Sequence, residues 1–201
     1  MKVEPVTLEG NFVRLESLSL AKHFEELCEV GLDADLWRWV PVKIATPKDL
    51  RKYVETALDE QLKGVSVPFA TIEKHSGKAV GSTRFANISA EHRRVEIGWT
   101  WIGKNWQRTF INTEAKLLML QHAFEIWKCQ RVELKTDLLN LQSRTAIARL
   151  GAIEEGVFRK HLITQSGRTR DTVYFSIVDD EWPHVKANLN NKLKERNNSE
   201  T

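Results

Sequence analysis

The sequence predicts an α+β fold: one predominantly antiparallel sheet with helices on both faces. Three observations predict the sheet and its helices. Apolar and polar residues alternate with a period of two in several short runs, first at Asn11–Glu16. Segments with helical periodicity interrupt those runs in the order β-α-α-β-β-β-α-β-α-β-β. Short polar turns at His75–Lys78 and Ser166–Gly167 join neighbouring runs, which reads as two hairpins.

Each element has a local reason. After the strand at Asn11–Glu16, Ser19 stands as an N-cap for AKHFEELCEV, which ends at Gly31. Thr46 caps a second helix with Pro47 at its first position, where the missing N–H costs nothing. VPFATIEK and AVGSTRFANIS flank the first turn, and HRRVEIGWTWI adds a third strand at 92–102. Strict alternation there puts Val95, Ile97, Trp99 and Trp101 on one face, with Glu96, Gly98 and Thr100 on the other. TEAKLLMLQHAFEIWK is a long amphipathic helix whose stripe runs through Leu117, Leu120, Phe124 and Trp127. RVELKTDLL is a strand, and NLQSRTAIARL is a helix capped by Asn140 and closed by Gly151. AIEEGVFRKHLITQ and RTRDTVYFSIV form the second hairpin. The expected organisation is a single domain over 1–180 and a polar C-terminal helix or tail over 181–201, fading out along NLNNKLKERNNSET.

Composition narrows the function classes. The 201 residues carry 41% hydrophobic content and a net charge of +3, ordinary for a soluble globular chain. That charge is scattered and too small to argue for nucleic acid. Cys28 and Cys129 form no C-x-x-C pattern, so neither a metal site nor a disulfide framework is expected. The first ten residues lack an apolar h-region, and no run reaches the length of a membrane span. A cytoplasmic protein with no membrane partner is the expectation. No strand leads into a G-x-G-x-x-G or Walker loop, which disfavours dinucleotide binding and nucleotide hydrolysis.

The chemistry concentrates in Glu96–Glu114, a strand, a polar loop and the start of the long helix. A loop that opens a helix exposes unpaired N–H groups at the positive end of the helix dipole, a ready anion site. EIGW at Glu96–Trp99, NWQRTFINTEA at Asn105–Ala115, HAFE at His122–Glu125 and NLQSRTAIARLGAIEEG at Asn140–Gly156 resemble the GCN5-related N-acetyltransferases. Within them, the branch containing the ribosomal-protein N-terminal acetyltransferases is most similar. The resemblance spans nearly the whole chain, to the strand ending near Val178.

That resemblance implies a mixed, mostly antiparallel sheet with a splayed central strand pair, 92–102 and 130–136, and acetyl-CoA in the wedge between them. The pantetheine arm would lie along the backbone of Trp99, Thr100, Trp101 and Ile102, as an added strand does. The pyrophosphate would rest on a loop whose family pattern falls on Gln107, Arg108, Thr109, Phe110, Ile111 and Asn112, running into Thr113. Phe110 stands where a glycine is expected, so it either crowds the phosphates or turns away. If the position needs positive φ, strain of about 1–3 kcal/mol is added. Arg108 is a candidate phosphate partner or a solvated loop arginine.

Direct acyl transfer from a thioester to an amine needs a base for the amine, stabilisation of an oxyanion and an acid for the thiolate. It requires no metal and no covalent enzyme intermediate. Ser143, facing inward with Ile147 and Leu150, is the candidate acid or else a serine bonded to its own helix backbone, and the resemblance places a serine there. Asn140 shares its face, as helix cap, as contact to the CoA arm, or as both. Glu96, between apolar neighbours, is the candidate base or else half of an ion pair with Arg84 or Arg94. Burial would make its carboxylate hold a proton more tightly, which suits a base near neutrality. Trp37 and Trp39 are either packing aromatics or the lining of an acceptor groove.

The function expected is an acetyl-CoA-dependent N-acetyltransferase acting on a primary amine, with a protein or peptide α-amine as the favoured acceptor. Two alternatives stand beside it: a small amine such as a polyamine or antibiotic, and a non-catalytic CoA-binding module disabled by Phe110. A homodimer through the exposed C-terminal strand is an open arrangement.

Overall fold

The computed structural model describes residues 1–197, with side chains through Glu195. Eight strands form one sheet in the order β1-β2-β3-β4-β5-β6-β8-β7. They are β1 (Leu8–Glu9), β2 (Val13–Ser17), β3 (Val67–Glu73), β4 (Ala79–Ser89), β5 (Arg94–Ile102), β6 (Arg131–Asp137), β7 (Ile153–Ile163) and β8 (Thr169–Val178). The helices are α1 (Leu20–Gly31), α2 (Pro47–Leu62), α3 (Ile111–Gln121), α4 (Leu141–Leu150) and α5 (Trp182–Asn197). Every neighbouring pair is antiparallel except β5 and β6, which run parallel.

Two apolar layers sandwich the sheet. On one face, Phe85, Val95, Ile97, Val132, Leu134 and Phe175 pack under α3, α4 and α5. On the other, α1 and α2 cover only the β2–β4 side, over Ala70, Ile72 and Ala79. The β5–β8 half of that second face therefore carries polar side chains, among them Glu96, Glu133 and Lys135. This half-covered sheet leaves room for a site.

Local signals explain most helix ends. Thr46 and Asp49 form a reciprocal capping box with Pro47 behind the cap, and Gly151 closes α4 at φ 102°. Ser19 occupies the N-cap of α1 without a side-chain bond; its N–H donates instead to His23 Nδ1 at 3.1 Å. α3 begins at Ile111, two residues before the expected Thr113, and passes at His122 into a π-helical turn ending at Ile126.

Two expectations need correction. Trp99 and Trp101 do not share a face with Val95 and Ile97. Trp99 adopts φ 53°, and both Trp99 and Thr100 fall between the Gly98↔Arg84 and Trp101↔Ser82 pairs, opposite Thr83 alone. This is a β-bulge, and it reverses the alternation: Thr100 and Ile102 now face α3 while both tryptophans face α1 and α2. The C-terminal segment also stays helical rather than fading out at NLNNK. Trp182, Val185 and Leu189 are buried in the core, and that packing sustains a polar helix of weak intrinsic preference. Residues 198–201 of the expected tail lie outside the described residues.

Candidate active site between parting strands

β5 and β6 pair at Arg94↔Arg131, Val95↔Val132 and Glu96↔Glu133. Beyond that rung neither finds a ladder partner in the other, although β5 continues to Ile102 and β6 to Asp137. The strands part into a wedge with Glu96 at its apex. Gly103 N–H donates to Val80 O, so alternation turns the backbone groups of Trp101 toward β4 and those of Thr100 and Ile102 toward the gap.

The bulge that shapes this edge is held from the α2 side. Tyr53 Oη donates to Trp99 O at 3.2 Å, and the Arg84 guanidinium lies over the Trp99 ring at 4.7 Å. A bulky side chain at positive φ is a strained arrangement of the kind that gathers at functional sites. Of the four backbone positions expected to bind pantetheine, Thr100 and Ile102 face the gap. Trp99 gives its carbonyl to Tyr53, and the Trp101 ring is buried against Trp37 at 5.3 Å.

At the wide end of the wedge the loop 103–110 leads into α3. Gln107 Nε2 donates to Ile102 O at 3.0 Å, and Gln107 Oε1 accepts from Gln142 Nε2 at 3.2 Å, which ties the loop to α4. Arg108 is exposed at φ 61°. Thr109 Oγ1 accepts from Ile111 N–H at 3.3 Å. The N–H groups of Asn112 and Thr113 have no acceptor within the helix, and the residue at its N-cap is Phe110, which supplies no side-chain cap. Asn112 Oδ1 is buried without a hydrogen-bond partner. An open strand edge running into an uncapped helix start fits the pantetheine and pyrophosphate of a CoA thioester.

Phe110 does not obstruct that start. Its φ is −74°, an ordinary helical value, so the strain foreseen for positive φ is absent. Its ring packs on Phe12 with centroids 4.2 Å apart, joining the core layer. Phe110→Gly is therefore expected to leave acetyl-CoA affinity within about threefold while costing about 2 kcal/mol of stability from lost packing and added chain freedom. Calorimetric titration and urea denaturation of the two proteins check this.

Across the gap, α4 starts with Asn140 Oδ1 accepting from Ser143 N–H at 3.1 Å. Ser143 is half-buried in this first turn, and its neighbour Gln142 makes the bond to the loop. Ser143, Asn140 and Gln107 are thus brought to one side of the wedge.

Glu96 lies on the opposite face of the sheet and is 2% exposed. Its Oε2 accepts from Asn87 Nδ2 at 2.6 Å and lies 2.8 Å from Lys135 Nζ. The ion-pair partner is thus Lys135, not Arg84, which pairs with Glu60, nor Arg94, which pairs with Glu133. Oε1 leans over Gly98, where a Cβ would come within 2.7 Å of it. Glu96 lines a cavity of about 770 Å³ with Asn87, Arg94, Glu133, Glu155 and Tyr174. Hydrogen bonding from Arg131 holds the Glu155 carboxyl down at about 2.

The mouth of the wedge is built from residues that the pattern of the sequence did not mark. Asp137, fully buried at the end of β6, pairs with Arg168. Arg170 donates to Trp39 O at 2.9 Å, Gln165 to Trp37 O at 3.1 Å, and the Arg168 guanidinium lies 5.7 Å from the Trp39 ring centre. The β7–β8 hairpin therefore fixes the loop after α1. Trp37 itself is 2% exposed and gives Nε1 to Gly31 O, so it is a core residue. Trp39, by contrast, is half-buried.

The fold and wedge define an acyltransferase, and comparison with known proteins agrees. The family described as "Acetyltransferase (GNAT) domain" matches residues 13–153. The chain is similar to a GCN5-related N-acetyltransferase from Brucella melitensis, with 33% identity and a TM-score of 0.85 over 92% of this chain and 83% of that one. It is 32% identical to the "Putative ribosomal N-acetyltransferase YdaF" of Bacillus subtilis (strain 168), across 56% of this chain and 60% of that relative's length. Mycobacterium smegmatis RimJ in complex with CoA-disulfide shares the fold at 22% identity, TM-score 0.81 and 96% coverage of both chains. The chain belongs to the GNAT acetyltransferase family. Among the described residues, no helix is long and apolar enough to cross a membrane, and no group of three or more His, Cys, Asp or Glu side chains is placed to hold a metal ion.

Proposed function

We propose that this protein transfers an acetyl group from acetyl-CoA directly to a primary amine, with a protein or peptide α-amine as acceptor. One observation carries the reading: β5 and β6 part after Glu96↔Glu133, and the freed β5 edge runs into the uncapped start of α3. Acetyl-CoA supplies the activated acyl group. Thr100 and Ile102 hold its arm by their backbones, and the α3 start with Gln107, Arg108 and Thr109 holds its phosphates. Ser143 Oγ gives a proton to the departing thiolate and recovers one from solvent. Glu96, through Oε1, takes the proton of the acceptor ammonium on the opposite face. The ribosomal name of YdaF favours a protein terminus, and the cavity beside Glu96 is open enough to take a chain end. The reading places the enzyme in the cytoplasm. The C-terminal strand β8 lies between β6 and β7 and has no free edge, contrary to expectation, so two copies would pair instead through edge strand β7, where Val157 and Phe158 are exposed. The non-catalytic alternative rested on Phe110, whose ring is directed to Phe12.

Incubation with acetyl-CoA and a mixed panel of peptides, polyamines and aminoglycosides, read by mass spectrometry, is expected to give acetylated peptide α-amines. Acetylation confined to small amines would overturn the acceptor class. Ser143→Ala is expected to lower kcat about 100-fold with little change in acetyl-CoA affinity, since a positioned proton donor is worth about 10²–10⁴. CoA release followed with a thiol reagent tests this, and an unchanged kcat would remove Ser143 from the chemistry.

A further inference from the structure

α3 carries a lysine where its apolar stripe calls for hydrocarbon. Lys116 is 4% exposed, and Met119 and Leu120, three and four residues on, are fully buried. Its Nζ donates to Thr83 Oγ1 on β4 at 3.0 Å and to Thr100 Oγ1 on β5 at 2.6 Å. Those two hydroxyls are 2.8 Å apart, and Thr83 also contacts Met119 Sδ at 3.7 Å. The groups facing the amine from β4, β5 and its own helix are thus uncharged. Nearby on α3, Glu114 turns its carboxylate to the N–H groups of Asn11, Phe12 and Val13. Burial lowers the Lys116 amine to about 7, so both of its forms are populated at neutral pH.

The location connects two parts of the site. Thr100 directly follows Trp99, and Thr83 is the residue opposite the bulge, so Lys116 grips the bulge from the α3 side. Lys116 also lies five residues beyond Ile111, about 7.5 Å along the helix from the start that receives phosphate. Negative charge arriving at that distance, across protein rather than water, favours the ammonium over the amine.

We propose that Lys116 is a positioning residue that takes up a proton when the phosphates of acetyl-CoA dock at the start of α3, and so clamps the Thr83–Thr100 bulge. The proton comes from solvent, and no covalent bond changes. The inference rests on the acetyl-CoA reading above. It assigns the lysine the task of matching the shape of the β5 edge to occupancy of the phosphate loop.

Calorimetric titration with acetyl-CoA at pH 8, in HEPES and in Tris, tests it without turnover. Different buffer ionisation enthalpies reveal proton uptake, expected at about half a proton per bound ligand for a group titrating near 7 and shifted upward on binding. Lys116→Met is expected to abolish most of that uptake. Lys116→Gln, which keeps a donor but cannot titrate, serves if the methionine variant fails to fold. Thr100→Val is expected to weaken acetyl-CoA binding several-fold. Saturable binding with buffer-independent enthalpy, or equal uptake in wild type and both lysine variants, would overturn the role of Lys116 alone. No binding by folded wild-type protein at millimolar acetyl-CoA would overturn the cofactor reading as well.

Discussion

Truncating Glu114 to alanine is expected to destabilise the fold by about 3 kcal/mol, because it leaves three N–H donors, that of Val13 fully buried, without their charged acceptor. Glu114 is 3% exposed in the first turn of α3. Its Oε1 accepts from Asn11 N–H at 2.8 Å, and its Oε2 accepts from Phe12 and Val13 N–H, both at 2.7 Å. A carboxylate at the first turn is also favoured by the helix dipole. The packing around it is tight: a Cβ on Gly10 would stand 2.6 Å from Glu114 Cδ. One side chain thus ties the chain entering β2 to the start of α3. Glu114→Gln keeps one acceptor oxygen and is expected to cost less, about 1–3 kcal/mol. Urea unfolding of the three proteins measures the difference, with unchanged m-values showing that stability alone has moved. A loss below about 1 kcal/mol for the alanine variant would mean that water or another acceptor serves those N–H groups equally well.

Much of this architecture is legible in the sequence because its causes are local. Thr46 and Pro47 start α2, Asn140 and Gly151 bracket α4, and the polar turns join hairpins that form as expected. The features that escaped are those decided by a distant partner. The bulge at Trp99 depends on Thr83 across the ladder and on Tyr53 and Arg84 on the far side, so EIGWTWI reads as uninterrupted alternation. Glu96 is legible as a buried carboxylate, whereas its pairing with Lys135 follows from the parallel register of β5 and β6. Trp37 and Trp39 look equivalent in sequence, and only packing against Trp101 and Tyr53 assigns Trp37 to the core. Lys116 did leave a signal. A lysine three and four residues before Met119 and Leu120 breaks the stripe of α3, and a polar residue in such a place needs a partner inside the protein. Asp137 left less, since the end of an alternating strand is an ordinary place for a carboxylate.

Glu96→Gln is expected to lower kcat/KM by about 10²–10³-fold, the scale of a lost proton acceptor. The replacement keeps the shape of the side chain and can still accept from Asn87 and Lys135, so the apex of the wedge should keep its form. What it loses is the ability to take a proton. Both recorded partners meet Oε2, and Oε1 leans over Gly98 toward the side where the strands part. The same Glu96–Lys135 contact also allows a purely structural role, and Lys135→Met separates the two. A structural ion pair predicts similar losses for both variants, because each removes the charge pairing between the two side chains. A proton acceptor predicts that Glu96→Gln is far the worse, with Lys135→Met within about tenfold of wild type, since removing the cation leaves the carboxylate in place. Equal losses in both would return Glu96 to the scaffold and leave the amine to be deprotonated by solvent. The apex remains the right place to look for a base. It is where the pairing of β5 with β6 ends and where a buried carboxylate lines a cavity.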